Sequence, residues 1–124
     1  MVASLVERYQ DYRAGREKLS VLGFLCLSAL EAYFSGRPAV ARVLNIETKV
    51  LSHLGMLVSA VGTYRSARKI ARQHHLRDFT EQESFWLEAV IRELIKRAGA
   101  IASGRDSPTR LRLTDLPPMG ENGE

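Results

Sequence analysis

Apolar residues between Glu47 and Arg77 recur at helical spacing, and this stretch constrains the fold more than any other. Steps of four and three place one stripe along a single helix face. The stripe comprises Val50, Leu54, Leu57, Val61 and Tyr64. Beyond Tyr64 it continues with cations, which are Arg65, Arg68 and Arg72. The pattern predicts one long helix that packs along its first turns and is positively charged along its last ones.

A second long helix is predicted from about Ser4 to Phe34, because apolar residues recur there every seventh position. These residues are Leu5, Tyr12, Leu19, Cys26 and Tyr33. The first half is charged and aromatic, which predicts an exposed arm available to a partner. The second half is almost wholly apolar, which predicts burial on most sides.

The connection after this helix contains two strong turn signals. Gly36 suits the end of a helix and Pro38 suits the first turn of the next one. We therefore expect a turn at 35–38 and a short helix at 38–44. Asn45 is the expected N-cap of the long central helix.

A third helix is predicted to begin at Thr80, where a capping box links Thr80 and Glu83. The expected inner face consists of Leu87, Ile91, Leu94, Ala98 and Ile101. The pairs Glu88–Arg92 and Glu93–Arg97 are expected on the outer face. The helix should end near Gly104.

These elements predict an all-α fold: an antiparallel helical bundle of two long helices and one shorter helix, with a short connecting helix. The chain length of 124 residues fits one domain. Three of the four prolines lie beyond Gly104. We therefore expect a single domain over 1–104 and a flexible tail over 105–124 that buries little.

Charge and cysteine content narrow the range of functions. The net charge is +4, with twelve Lys/Arg against five Asp/Glu in residues 1–77, and six against nine in 78–124. A basic front favours a polyanionic partner, or an acidic half of a second copy. The lone Cys26 allows no disulfide within the chain, so we expect a cytoplasmic protein. The apolar run around it stops at Glu31, short of the roughly 18 residues that a membrane span needs, and no membrane is expected.

A cluster of cations without an intervening acid is the strongest binding signal. The candidate nucleic-acid or partner-binding residues are Arg65, Arg68, Lys69, Arg72, His75 and Arg77. Clustered cations bind phosphates without needing a particular sequence. The alternative is a solvated helix end, where cations also suit the helix dipole.

Arg68 and His74 allow a more specific interpretation, because a guanidinium and an imidazole on one helix can support metal-free RNA cleavage. Their spacing is similar to the Arg-x(4–6)-His motif of the HEPN superfamily. That resemblance covers seven residues, and Lys69 stands where the family usually has a polar residue. It implies a helical bundle that dimerises to bring two motifs together, and a metal-independent ribonuclease.

Other site chemistries lack their residues in this sequence. Paired Glu-x-x-His units for a di-metal bundle, phosphate-binding glycine loops and nucleophile elbows are missing. We expect no metal and no cofactor. Glu31 is expected to pair with Arg37 or Arg42, and His53 to be a packed or surface imidazole.

Small residues form a second stripe on the central helix, on the side away from the apolar one. Its members are Ser52, Gly55, Ser59, Gly62 and Ser66. Each glycine costs about 1 kcal/mol of helix propensity, so close approach of another helix is the expected reason for them. Candidate self-association residues are therefore Gly55, Ser59 and Gly62, together with Tyr9 and Tyr12. A homo-oligomer is expected, with a dimer as the first choice.

Together these patterns predict a small non-enzymatic helical subunit or adaptor, which self-associates and binds nucleic acid or an acidic protein partner. The alternative is a HEPN-like ribonuclease that uses Arg68 and His74. A further alternative is a purely structural assembly subunit.

Overall fold

Five helices build the part of the protein that the structure, a computed structural model, describes: residues 1–61, 79–105 and 109–118. They are α1 (Val2–Arg13), α2 (Leu19–Phe34), α3 (Arg37–Leu44), α4 (Thr48–Val61) and α5 (Glu81–Ala102). A 3-10 turn at Leu113–Asp115 follows. The all-α class predicted from the sequence is confirmed.

The prediction of one helix from Ser4 to Phe34 is wrong. The chain leaves the helical path after Arg13, and Gly15 takes a left-handed backbone angle, φ 81°. The Arg16 amide bonds back to the carbonyl of Asp11 over 2.8 Å, which closes α1. Glycine adopts this conformation without steric cost. The sevenfold apolar spacing continues across the break, and for this reason the periodicity alone did not reveal it.

Helices α2 and α5 form the centre of the fold, and each contacts all four other helices. From α2, the side chains of Leu22, Cys26 and Leu30 are fully buried. From α5, the fully buried residues include Leu87, Ile91 and Leu94, as the apolar spacing predicts. The burial predicted for the second half of the 4–34 stretch is thereby confirmed for these residues of α2.

The helix directions follow from named contacts. Tyr12 near the end of α1 bonds Glu88 near the start of α5, and Val2 lies near Gly99, so α1 and α5 run in opposite directions. Gly23 near the start of α2 lies against both Leu87 of α5 and Val58 of α4. The start of α2, the end of α4 and the start of α5 therefore meet at one end of the molecule.

Helix α3 confirms the predicted short connecting helix, with Pro38 in its first turn. Asn45 does not cap the next helix as predicted. It closes α3 in a left-handed conformation, φ 58°, and α4 begins only at Thr48. The core face of α4 is also rotated from the predicted stripe: Val50, Leu51, Leu54 and Val58 are buried, whereas Leu57 is only half-buried. The predicted continuation of this helix from 62 to 77 lies outside the described residues.

Helix α5 starts at the predicted capping box. The Glu83 amide donates to Thr80 Oγ1 over 3.1 Å, and the Thr80 amide donates to Glu83 Oε1 over 2.9 Å. Both predicted ion pairs are present, with Glu88–Arg92 at 3.4 Å and Glu93–Arg97 at 2.9 Å. Arg97, however, is buried and does not lie on the outer face.

Residues 109–118 return to the helices, and we call them the strap. The expectation that the segment after Gly104 buries little does not hold for this part of it, since Leu111 is only 7% exposed and belongs to the core. Leu111 forms an isolated parallel bridge with Ile46, in the turn between α3 and α4. The strap therefore packs against the α3–α4 turn, a contact that the sequence patterns do not predict.

Candidate binding surfaces

The two helices that flank the predicted cationic segment, α4 before it and α5 after it, meet at one end of the molecule. Val58 in the last turns of α4 and Leu87 in the first turns of α5 both lie against Gly23. Tyr12 brings the α1–α2 loop to the same place through its bond to Glu88. We call this region the loop end; it comprises residues 13–18, the last turn of α4 and residues 79–88.

The described charges at the loop end are mixed. Arg13 and Arg16 are well exposed, with 62% and 69% of their side chains accessible. Each has an acid nearby: Glu88 lies 3.9 Å from Arg13, and Asp11 lies 3.0 Å from Arg16. Exposed pairs of this kind stabilise a fold by less than about 1 kcal/mol and leave the cations available to a partner.

The residues predicted to bind nucleic acid or a partner are Arg65, Arg68, Lys69, Arg72, His75 and Arg77. They lie outside the described residues, as does His74 of the alternative ribonuclease motif. Their roles stay predictions. The structure describes only the flanks of this segment, at the loop end.

Tyr9 and Tyr12 were predicted as part of an exposed arm, and the structure gives both of them contacts within the chain. Tyr12 Oη donates to Glu88 Oε2 over 2.6 Å. The centroids of the Tyr9 and Tyr12 rings lie 6.1 Å apart. Burial and, secondly, this hydrogen bond raise the pKa of Tyr12 to about 12. A hydrogen bond with Tyr9 is the first cause that raises the pKa of Arg92. These bonds join α1 to α5, and the raised pKa of Tyr12 keeps its phenol in the neutral form.

Gly55 has a close neighbour in its own chain. A Cβ atom at this position would lie 3.1 Å from a guanidinium nitrogen of Arg37. Arg37 is held there by Glu31, whose carboxylate accepts from Nε over 2.6 Å. The predicted pairing of Glu31 is therefore confirmed with Arg37. The role of Gly55 in self-association stays a prediction, as do those of Ser59, whose side chain is not described, and Gly62.

The strap is held by backbone and side-chain bonds on both of its neighbours. The Leu111 amide donates to the Asn45 carbonyl and the Glu47 amide donates to the Leu111 carbonyl, both over 2.9 Å. The carboxylate of Glu47 accepts from the Leu113 amide over 2.9 Å. From α5, Arg97 Nη2 donates to the Thr109 carbonyl over 2.8 Å. These bonds fix the register of the strap on the α3–α4 turn.

A cavity of about 330 Å³ lies between the strap and helices α4 and α5. His53 and Trp86 form its floor, with their rings 6.2 Å apart. Leucines and prolines of the strap line the rest: Leu113, Leu116, Pro117 and Pro118, beside Thr114. The lining offers one imidazole among apolar groups, so it suits an apolar side chain better than acid–base chemistry, which needs a second titratable partner.

Cys26 does not form a reactive site. Its side chain is fully buried, and burial is the main cause that raises the pKa of its thiol to about 12. The thiolate is the nucleophilic form of cysteine, so this residue is inert in the folded protein. Within the described ranges, no three His, Cys, Asp or Glu side chains are grouped so that they could hold a metal ion.

The sequence analysis does not predict the structural roles of three described residues. Arg97 and Glu47 bind the strap, and Trp86 is buried beside it. Trp86, Val90 and Arg97 fall on one face of α5, at steps of four and seven. That spacing is the signal that places Arg97 among core residues despite its charge. The bonds of Arg97 and Glu47 to the strap carry no local signal, because their partners are distant in sequence.

No protein-family model, curated protein or solved structure matches this chain. Among the described helices, none is by itself both long and apolar enough to cross a membrane. Helices α2 and α3 would reach that length and composition only together, and the chain bends by 88° between them.

Proposed function

We propose that this protein is a small, non-enzymatic and self-associating helical subunit or adaptor, built as a helical bundle, whose cationic segment 65–77 binds nucleic acid or an acidic protein partner. The observation that carries the proposal is the position of the flanks of this segment. Both are attached to the core at the loop end, through Val58 and Leu87 against Gly23. The segment that carries the cations connects these two points in the sequence, and clustered cations attract a polyanionic partner.

Three described carboxylates, which are chemically able to act as acids or bases, are engaged in structural bonds. Tyr12 bonds Glu88, Glu31 bonds Arg37, and Glu93 bonds Arg97. Each of these bonds links side chains that hold helices or turns in place. A general acid or base needs a group free to exchange a proton with a substrate.

Binding to labelled RNA and DNA over a salt series tests the proposal. Replacing Arg65, Arg68 and Arg72 by glutamine should weaken binding and flatten the log–log salt dependence by about one unit for each lost phosphate contact. The matched control changes three exposed cations elsewhere, Arg42, Lys49 and Lys96, to glutamine. It removes the same net charge and should leave the slope nearly unchanged. Equal weakening by both triple variants would contradict a localised site.

The same assay separates the alternatives. RNA cleavage that His74→Ala abolishes, with binding retained, would instead establish a ribonuclease that uses Arg68 and His74. Binding to neither RNA nor DNA at about 50 mM salt would remove the nucleic-acid partner. An acidic protein, or the acidic half of a second copy, would then be the remaining partner of the cations. A purely structural assembly subunit, the further alternative, would need neither the cations nor His74.

A further inference from the structure

The cavity between the strap and helices α4 and α5 has walls that are fixed by bonds and by packing. The Leu113 amide donates to Glu47 Oε1 over 2.9 Å, and the Leu116 amide donates to the Leu113 carbonyl over 3.2 Å. Leu113 and Leu116 also pack against the core, to which Trp86 belongs. At about 330 Å³ the cavity lies at the lower end of the size range of small-molecule sites, which are usually preformed in this way.

The indole N–H of Trp86 is a polar group that opens onto this cavity. Trp86 is only 1% exposed, and its nitrogen forms no hydrogen bond with a described residue. This nitrogen is nevertheless not sealed from solvent, since Oε1 of Glu17 is the only sealed and unpartnered side-chain atom among the described residues. Because core residues cover the rest of the Trp86 side chain, solvent reaches the N–H from the cavity that Trp86 lines. A ligand in the cavity needs an acceptor for it, because an indole only donates.

His53 adds a second ring with polar nitrogens to the same floor. The centroids of the His53 and Trp86 rings lie 6.2 Å apart, and the ring planes are inclined by 54°. The His53 imidazole forms no hydrogen bond or ion pair with another described residue, so it too is available to a ligand. Two N–H···O bonds of about 2.9 Å each bridge up to about 5.8 Å between two nitrogens, which is compatible with this ring separation. A carbonyl oxygen has the two lone pairs that are needed to accept from both rings, whereas an aromatic ring nitrogen has one.

We propose that this cavity binds a small aromatic molecule that carries a carbonyl oxygen, which accepts hydrogen bonds from Trp86 Nε1 and from the His53 imidazole. The ring of the ligand lies between Trp86 and the strap, against Leu116, Pro117 and Pro118. An aromatic ring suits this place because it stacks on an indole with an offset, and its second flat face packs on the proline rings. Aromatic ketones and aromatic carboxylates both supply the oxygen. The site is separate from the cationic segment of the proposed function, so either can exist without the other.

The chain contains one tryptophan, so a single indole N–H resonance in the spectrum of the ¹⁵N-labelled protein reports on this site. Acetophenone and ethylbenzene are matched probes, because they differ only by a carbonyl group in place of a methylene group. Acetophenone should move the resonance downfield in a saturable manner. Ethylbenzene should bind about tenfold more weakly, because it leaves both N–H groups without an acceptor.

Benzoate tests the carboxylate source of the same oxygen. A downfield shift with benzoate alone would assign the site to aromatic carboxylates, and a shift with acetophenone alone would assign it to neutral carbonyl compounds. Equal affinities of acetophenone and ethylbenzene, with no shift by benzoate, would overturn the acceptor site. Binding of neither acetophenone nor benzoate at about 10 mM, a concentration at which even a weak fragment occupies its site, would overturn the proposal as a whole.

Substitution of His53 tests its part in the site. His53→Phe keeps a ring on the floor of the cavity and removes its nitrogens, so the variant should still bind ethylbenzene but lose most of the preference for acetophenone. The matched control is Met56→Phe, which places the same ring on the same helix at a position that is 69% exposed, and it should leave both affinities unchanged. An unchanged preference in His53→Phe would overturn the arrangement of two donors. Should His53→Phe fail to fold, the comparison of the probes on the unaltered protein decides alone.

Discussion

Arg97 Nη2 donates a hydrogen bond of 2.8 Å to the carbonyl oxygen of Thr109, and this bond ties the strap to the helix that precedes it. The same guanidinium also reaches the α3–α4 turn, since Nη1 donates to the carbonyls of Leu44 and Asn45 over 3.1 Å. Nε completes the set with Glu93 over 2.9 Å. One buried arginine therefore joins three separate segments, and the planar fork of five donors is what allows it to do so.

Replacing Arg97 by methionine should lower the free energy of unfolding by about 2–4 kcal/mol, because the carbonyls of Leu44 and Thr109 lose a donor in a buried place. Urea denaturation measures this change. The control is Lys96→Met on the neighbouring exposed position, which should change stability by no more than about 0.5 kcal/mol. Equal effects of the two variants would show that Arg97 contributes nothing beyond its aliphatic chain.

Leu111 should matter to stability although it lies outside the predicted domain of 1–104. Leu111→Ala is expected to cost about 2–4 kcal/mol, because it leaves a cavity beside Ile46. Thr114→Ala, at an exposed position of the same strap, is the control and should be nearly neutral. Truncation after Gly104 should cost at least as much as Leu111→Ala. A truncated chain with the unfolding midpoint of the full chain would contradict a packed strap.

Local signals predicted the elements whose ends are encoded nearby in the chain. Thr80 and Glu83 specify the start of α5 by mutual bonds, and Pro38 together with Gly36 marks the start of α3. The heptad spacing does not predict the break at Gly15, because a spacing that continues on both sides of a turn is indistinguishable from one helix.

The strap could not be predicted, because its partners are far along the chain. Leu111 pairs with Ile46, and Leu113 bonds Glu47, across more than sixty residues in each case. The alternation of arginine and leucine at 110–113 fits an extended segment but does not identify a partner. The clustering of cations in segment 65–77 can be recognised from the sequence. The burial of Arg97 cannot, because it depends on carbonyl groups that only the fold brings near its guanidinium.

Substitution by alanine should change the free energy of unfolding in opposite directions at Gly23 and Gly99. A Cβ at Gly23 would lie 2.8 Å from Cγ1 of Val58, so Gly23→Ala forces α2 and α4 apart and should cost about 1–3 kcal/mol. Among the described residues, a Cβ at Gly99 would meet Val2 Cγ1 at 3.9 Å, an ordinary van der Waals distance. Gly99→Ala should therefore stabilise the protein by up to about 1 kcal/mol through helix propensity alone. Thermal or urea unfolding of the pair measures both signs, and a stabilising Gly23→Ala would contradict the close packing of α2 on α4.

The Tyr12–Glu88 bond should make stability depend on alkaline pH. The folded protein raises the pKa of Tyr12 from 10.0 to about 12, so the native state holds this proton more tightly than the unfolded chain. The resulting stabilisation is complete below pH 10 and is lost as the pH rises from 10 toward 12, where phenolate and carboxylate would repel each other.

Tyr12→Phe removes the titrating group. Its unfolding free energy should therefore be lower than that of the wild type near neutral pH, by about 1–2 kcal/mol for the lost bond to a charged carboxylate. The difference should shrink as the pH rises. Tyr33→Phe is the matched control, because Tyr33 is 64% exposed, and it should follow the wild-type curve. Urea unfolding at a series of pH values above 9 gives all three curves. Parallel curves for Tyr12→Phe and the wild type would show that Tyr12 does not carry the alkaline loss.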